Sequence, residues 1–382
     1  MVRRSAIRPS VYQFRRDLAR RGGHVTPPGP DLAKHLFGRC SERIGSLMTG
    51  QVLDCSWRWN RAKFRSIQWG KTMRYIPAIL AMSLTPLVVS PAAAVESGFS
   101  LYLPGAAGDI VLAQSPEPGL QVAFTALYCS GEVDEVVAQG KLNFGVDLDL
   151  SLGILSASYT FDQEVFGGTY TVGAALPVGR ADLDATLTSR LGNRSVSVND
   201  DSFSIGDMAI TPIQLNWSSG RFSYKLAETI FIPTGGYDKD DVVNVGLNRW
   251  GFDTTFAMTY FNEVTKTEFS IAPGLLFNLE NDDTDYDSGD EFHVDFTVNQ
   301  FLSDTLAVGL RGYYYRQISD DSGSGARLGG FRGKGAGIGP GFVWFPKFAG
   351  GQLSVLGKYI HDFETKNRFD GDLTTLTAAW KF

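Results

Sequence analysis

The chain has 382 residues, 43% hydrophobic and 12% aromatic, with 43 glycines and a net charge of −6. Stretches rich in Ala, Leu, Glu and Lys are scarce while Gly, Thr, Ser, Asn and aromatics abound, which argues against a helical protein and for strands. The charge is uneven: residues 1–74 carry 16 Lys/Arg against 4 Asp/Glu, residues 75–382 carry 19 against 37, and such halves rarely share one folded unit.

Lys71 and Arg74 precede an apolar run from Tyr75 to Ser90, and Pro91-Ala92-Ala93-Ala94 follows. A basic start, an apolar middle and an Ala-x-Ala end make a Sec-type signal peptide over 73–94, cleaved after about Ala94. Pro77 and Pro86 interrupt the run and argue against a membrane helix. Residues 1–72 are then a doubtful or disordered basic extension, with Met73 or Met48 as the alternative start. Because the arm directly precedes an export signal, no nucleic-acid partner is expected. Cys40 and Cys55 lie in the arm and Cys129 alone follows the signal, so no internal disulfide can brace the exported part. Residues 95–118, apolar and rich in Pro and Gly, are expected as an N-terminal plug in a lumen or as a periplasmic segment.

From residue 119 the dominant signal is alternation of period two. Strands are expected at about 119–130, 142–161, 167–189, 204–218, 222–233, 249–261, 267–281, 291–302, 305–318, 333–346, 352–363 and 372–382. The second and third exceed the roughly 9–11 residues of one crossing and are expected to project or to bulge, with breaks near Pro177 and Pro212. Glu228 falls in phase with Leu226 and Ile230, which a lipid-facing position disfavours, so a bulge or a misread strand is expected there.

A soluble sandwich also alternates, but three features point elsewhere. Short connections near 218–221, 262–266, 302–305 and 347–351 alternate with long ones near 234–248, 282–290, 319–332 and 364–371, the asymmetry of periplasmic turns and outer loops. Trp217, Trp250, Tyr260, Trp344, Phe345 and Trp380 sit near strand ends, as interfacial girdles do. The chain closes on an alternating strand whose Trp380 and Phe382 resemble the insertion signal read by the barrel-assembly machinery. The fold class is therefore all-β, a closed antiparallel transmembrane β-barrel of about twelve strands over 119–382 in a Gram-negative outer membrane, in contact with lipid and lipopolysaccharide.

Twelve strands leave a lumen. Its candidate lining residues are Asp253, Glu280, Glu291, His293, Asp295, Arg311, Tyr313, Tyr315 and Gln317, with Phe345 adding to the aromatic surface and Glu291 and Arg311 crossing the pore as opposite charges. His293 and Asp295 suit omptin-type proteolysis only with an acidic partner pair that the sequence does not show, and no serine stands two residues from His293, so no catalytic residue is assigned. Gly333, Gly335, Gly337, Gly339 and Gly341 repeat at strand spacing, giving a smooth inward face or close packing against a plug. The acidic run around Asp283, Asp285 and Asp287 departs from an EF-hand at Ser288 and Val294. Loose calcium binding is the alternative there to a solvated loop, and no cofactor is expected.

Tyr102-Leu103-Pro104-Gly105, Gly206-Asp207 with Pro212, Pro233-Thr234-Gly235-Gly236-Tyr237-Asp238, Asn248-Arg249-Trp250 and Asn278-Leu279-Glu280-Asn281 occur in this order. Thr284-Asp285-Tyr286, Ser288-Gly289, Gln317, Asp320-Asp321-Ser322-Gly323, Gly337-Ile338-Gly339-Pro340 and Asn367-Arg368 with Gly371 follow. Together they resemble the SphA-like outer-membrane family, described as proteins of the meta-cleavage pathway of phenol degradation. The resemblance implies an outer-membrane channel for small, mainly hydrophobic or aromatic compounds, and it carries no ligand residues. A general porin, or a closed structural or surface-binding barrel, is the alternative.

Overall fold

A computed structural model describes residues 99–382 apart from 107–108, 111, 139–140, 189–194, 327–329, 331 and 351. The basic extension and the signal peptide lie outside the described residues. Thirteen strands follow one another: β1 (Gly119–Ala138), β2 (Lys141–Val165), β3 (Gly168–Thr188), β4 (Ser195–Ile205), β5 (Met208–Ser219), β6 (Phe222–Ile232) and β7 (Gly251–Asn262). Then come β8 (Thr267–Asn278), β9 (Glu291–Ser303), β10 (Leu306–Gln317), β11 (Lys334–Trp344), β12 (Leu353–Lys366) and β13 (Asp370–Lys381).

Each strand pairs antiparallel with its neighbours, and β1 pairs with both β2 and β13, so the ring closes. Twelve strands make the ring. The thirteenth, β4, pairs with β3 alone. The expected fourth strand, 204–218, is in the main β5, and β4 is an additional strand over residues expected as a connection: β4 runs beside the upper half of β3, and β5 takes over the lower half after Gly206-Asp207. Pro177 stands at the exchange, its carbonyl accepting the Gly206 N–H at 2.9 Å. Pro212 sits in the bulge of β5, where registers slip against both β3 and β6.

The alternation has a physical cause. In β9, Glu291, His293, Asp295, Thr297 and Asn299 are buried, while Phe292, Val294, Phe296 and Val298 face the other way. Phe124, Leu155, Phe256, Leu310 and Leu376 are likewise exposed outside. Polar groups inside and apolar ones outside is the arrangement of a barrel in hydrocarbon, where closure satisfies every backbone donor and acceptor. Trp380 and Phe382 lie on this outer face, at 37% and 68% exposure.

At one rim the turns are tight, as between Ser219 and Phe222 or Ser303 and Leu306. The other rim carries loops 233–250, 279–290 and 318–333, and β1, β2 and β3 rise far beyond one crossing, with 20, 25 and 21 residues. The expected long loop 364–371 is mostly strand, because β12 and β13 also extend outward and leave only 367–369 between them. Asn367 makes that reversal in the left-handed region, φ 56°. Glu228 is neither misread nor shifted. The bulge lies in its partner β5, and Glu228 keeps the phase of exposed Leu226 and accepts a hydrogen bond from Thr254 Oγ1. It stands four residues from the loop end of β6, where a charge costs far less than at mid-membrane.

Candidate functional site: the occupied lumen

The described residues of 99–118 lie inside the ring. Near the loop rim, Arg249 Nη2 donates to the Phe99 carbonyl at 2.8 Å, and Ser100 Oγ bonds Glu291. Lower down, the amides of Leu112 and Ala113 donate to Ser270 (3.3 Å) and Thr259 (3.0 Å), and Asn216 donates to the carbonyls of Ala113 and Gln114. At the turn rim Lys381 holds the Glu117 carbonyl. The segment therefore spans the bore from one mouth to the other.

Its main anchor is Tyr102, 5% exposed. The ring stacks on His293 with centroids 3.8 Å apart, and the hydroxyl donates to Asp295 at 2.6 Å. His293 Nε2 in turn lies 2.9 Å from Asp253. Leu127, Leu276, Tyr313, Tyr315, Ile360 and Leu373 of the wall complete an apolar collar around Tyr102. Bonding its groups stabilises a buried polar cluster of this kind, and here the segment gives Asp295 a donor through Tyr102 and Glu291 one through Ser100.

The register of β9 and β10 explains the grouping, since it sets Glu291, His293 and Asp295 opposite Gln317, Tyr315 and Tyr313. Eight of the nine lining residues are buried inside the ring. Tyr313 donates to Asp362, Tyr315 lies under the Arg368 guanidinium at 4.9 Å, and Gln317 bonds Asp321 and Gly333. Glu280 is the exception, exposed beyond the end of β8. Phe345 falls in the turn after β11, away from Tyr313 and Tyr315. Glu291 and Arg311 do not cross the pore as a pair. Arg311 stands opposite Thr297, six residues along β9 from Glu291, or about 20 Å at strand rise.

The glycine row of β11 serves its neighbours rather than the inner segment. A Cβ on Gly337 would come 2.7 Å from the Tyr313 ring, and one on Gly341 would come 2.6 Å from Arg311 Cδ and Nε. Long side chains from β10 thus lie flat against a wall without side chains. His293 has no open face either, being 2% exposed beneath Tyr102.

Several residues of the site escape the alternation argument. Lys358 of β12 bonds Asp109 at 2.8 Å and the Ala106 carbonyl. Glu268 of β8 accepts from Ser270, Thr297 and Asn299. At the loop mouth Asp207 accepts the amides of Gly235 (2.9 Å) and Leu247 (2.7 Å), while Asp321 accepts from Gly289, Tyr286 and Gln317. Burial holds the Asp321 carboxyl above the usual carboxylate range, against the pull of those three bonds. The Asp207 latch draws loop 233–250 over the opening, where Val243 packs against Leu148, Leu150 and Leu183, while Asp321 ties loop 279–290 to the end of β10. Asp283, Asp285 and Asp287 are bonded to Asn248, Ser324 and Ser322, and no three metal-ligating groups converge among the described residues.

The wall is uneven around the bore. The segment's hydrogen bonds go to β5, β7–β9, β12 and β13, while the inner faces of β1–β3 and the start of β5 carry Ala123, Ser156, Ser158, Gly173, Ala175 and Thr211. They line a cavity of about 210 Å3.

An apolar exterior, a polar interior and one chain segment threaded through a closed antiparallel ring define a transmembrane β-barrel of the outer-membrane type. The chain belongs to the family described as "Putative MetA-pathway of phenol degradation", whose model matches residues 132–378. Among solved structures it is similar to an outer-membrane channel from Pseudomonas putida F1, with 16% identity and a TM-score of 0.57, over 74% of this chain and 100% of that one. A FadL homologue of Pseudomonas aeruginosa matches with 10% identity and a TM-score of 0.33, over 76% of this chain and 99% of that one. The translocator domain of the autotransporter NalP from Neisseria meningitidis matches with 13% identity and a TM-score of 0.38, over 71% and 91%. No curated protein matches the sequence.

Proposed function

We propose that the chain is an outer-membrane channel for small, mainly hydrophobic or aromatic solutes, with residues 95–118 as a plug that must shift or flex for passage. The observation that carries this reading is the small-residue cavity beside the bonded segment. Its 210 Å3 falls below the roughly 300–1,000 Å3 of sites for drug-sized ligands, which suits a single-ring molecule. The family's printed link to phenol degradation agrees with that size. Under this reading lipid and lipopolysaccharide cover the apolar exterior, a signal peptide ending near Ala94 exports the chain, and Trp380 and Phe382 address it to the assembly machinery. His293 then serves to hold Tyr102 and takes no catalytic part.

The test is uptake of phenol and of arabinose by vesicles whose outer leaflet is lipopolysaccharide, with and without the protein. Phenol accelerated well beyond arabinose supports the reading. Equal acceleration of both marks a general porin, and acceleration of neither a closed barrel.

A further inference from the structure

Arg311, Lys358 and Lys225 stand on the inward phases of their strands. Arg311 is 1% exposed, and neither its Nη1 nor its Nη2 has a hydrogen-bond partner. Its side chain lies over Gly341, and Gly341 is in register with Lys358 on the next strand. The two cations therefore stand side by side on the inner wall. Lys225 stands on the inward phase of β6 beside buried Ala227.

Two carboxylates exert their field on Arg311: Asp109 and Glu268. Glu268 is already engaged by Ser270, Thr297 and Asn299. Asp109 belongs to the segment and not to the wall, its bond goes to Lys358, and its side chain is 37% exposed. Lys225 lies in the field of Asp295 and Asp253 of the wall as well as that of Asp109. One partly exposed carboxylate on a separable piece of chain thus bonds Lys358 and lies in the field of Arg311. A guanidinium left with two buried, unbonded nitrogens is costly unless a bidentate acceptor completes it.

We propose that Arg311 and Lys358 form a seat for the carboxylate of a small organic acid, and that Asp109 occupies this seat at rest. The inference rests on the channel reading and adds solutes bearing a carboxylate to its substrate class. Exchange of one carboxylate for another leaves the charge balance of the bore unchanged, so the solute itself loosens the segment. The Lys358–Asp109 pair is a stand-in that an entering acid replaces. Glycine at 341 is part of the device, since a Cβ there would displace the Arg311 guanidinium.

The experiment compares benzoate with benzyl alcohol, its neutral analogue, at pH 8 in the vesicles described above. Lys358→Gln and Arg311→Gln should each lower benzoate uptake at least tenfold and leave benzyl alcohol within twofold, and Lys358→Arg should restore most of the loss. Asp109→Asn should raise benzoate uptake. Benzoate uptake unchanged by either Gln variant, or lowered together with benzyl alcohol, overturns the seat while the channel reading stands. Entry of neither solute through the natural protein removes the channel reading and the seat with it. Should the variants fail to fold, the natural protein alone decides. Benzoate and not benzyl alcohol should then speed hydrogen exchange of the Leu112 and Ala113 amides, and no change refutes the displacement.

Discussion

Replacing Tyr102 tests whether the inner segment is held as one unit. Its ring is 5% exposed, stacks on His293 at 3.8 Å and donates to Asp295 at 2.6 Å. Truncating a buried aromatic costs about 3–5 kcal/mol, and losing a hydrogen bond to a charged group about 1.5–3 kcal/mol. Tyr102→Ala should therefore weaken docking by about 3–5 kcal/mol once water fills part of the space, which is roughly a hundred- to several-thousandfold more undocked segment. Tyr102→Phe keeps the stacking and loses the bond, for about ten- to a hundredfold. The readout lies eleven residues away, at the Ala113 amide, which donates to Thr259 at 3.0 Å. Hydrogen exchange at Ala113 should accelerate by these factors while amides of β9 and β10 stay protected. Single-channel current should become noisier in the same order. If Ala113 exchanges at the natural rate in Tyr102→Ala, the two halves of the segment are independent and the anchoring argument fails.

Gly337→Ala should destabilise the barrel by about 1–3 kcal/mol, as overpacking does, because the new Cβ falls 2.7 Å from the Tyr313 ring. A lower urea midpoint for the loss of the heat-modifiable gel form is the check. Asp207→Ala leaves the Gly235 and Leu247 amides without their acceptor, at about 1–3 kcal/mol. Loop 233–250 should become protease-sensitive with the barrel intact, and equal resistance would contradict the latch. Asp321 has a raised folded-state pKa, so folding favours its protonated form. Its contribution is present in acid and is lost as pH rises through that pKa. Protection of loop 318–333 should fall from pH 4 to pH 7, and Asp321→Asn should flatten the trend. Phe382→Ala retains the backbone bond to Leu120, so it should lower the folded yield in cells and not the refolding in detergent.

The barrel was legible where lipid meets one face and polar groups the other. Strands β7 to β10 show this most cleanly, because Phe256, Ile271 and Leu310 must be outside and Asp253, Ser270 and Arg311 inside. The rule lapses above the membrane. β4 reads Ser-Val-Ser-Val-Asn-Asp-Asp-Ser-Phe-Ser-Ile, and with water on its surface only sheet pairing keeps it extended, so it passed for a loop. The outward ends of β12 and β13 were missed for the same reason. Inside the bore, polarity singles out Glu291, His293 and Asp295, which are buried, whereas Lys358 stays hidden because its inward neighbour Ile360 is apolar. Ile360 is apolar because it packs on Tyr102, a contact no strand pattern reveals. Marking every charged residue on an inward phase would have found Lys225, Glu268 and Lys358.

A closed ring has no edges, yet β4 gives this one a border. Paired to β3 alone, it exposes a row of backbone donors and acceptors that invites a foreign strand. Asp201 meets Arg180 at 3.4 Å, and Asp200 accepts the amides of Val242 and Val243 at 2.7 and 3.1 Å. Asp200 thereby fastens the loop and, with Asp201, sets charge along that border, which keeps it from zipping onto its counterpart in a neighbouring molecule. Neutralising both would leave the outermost strand free to pair between barrels.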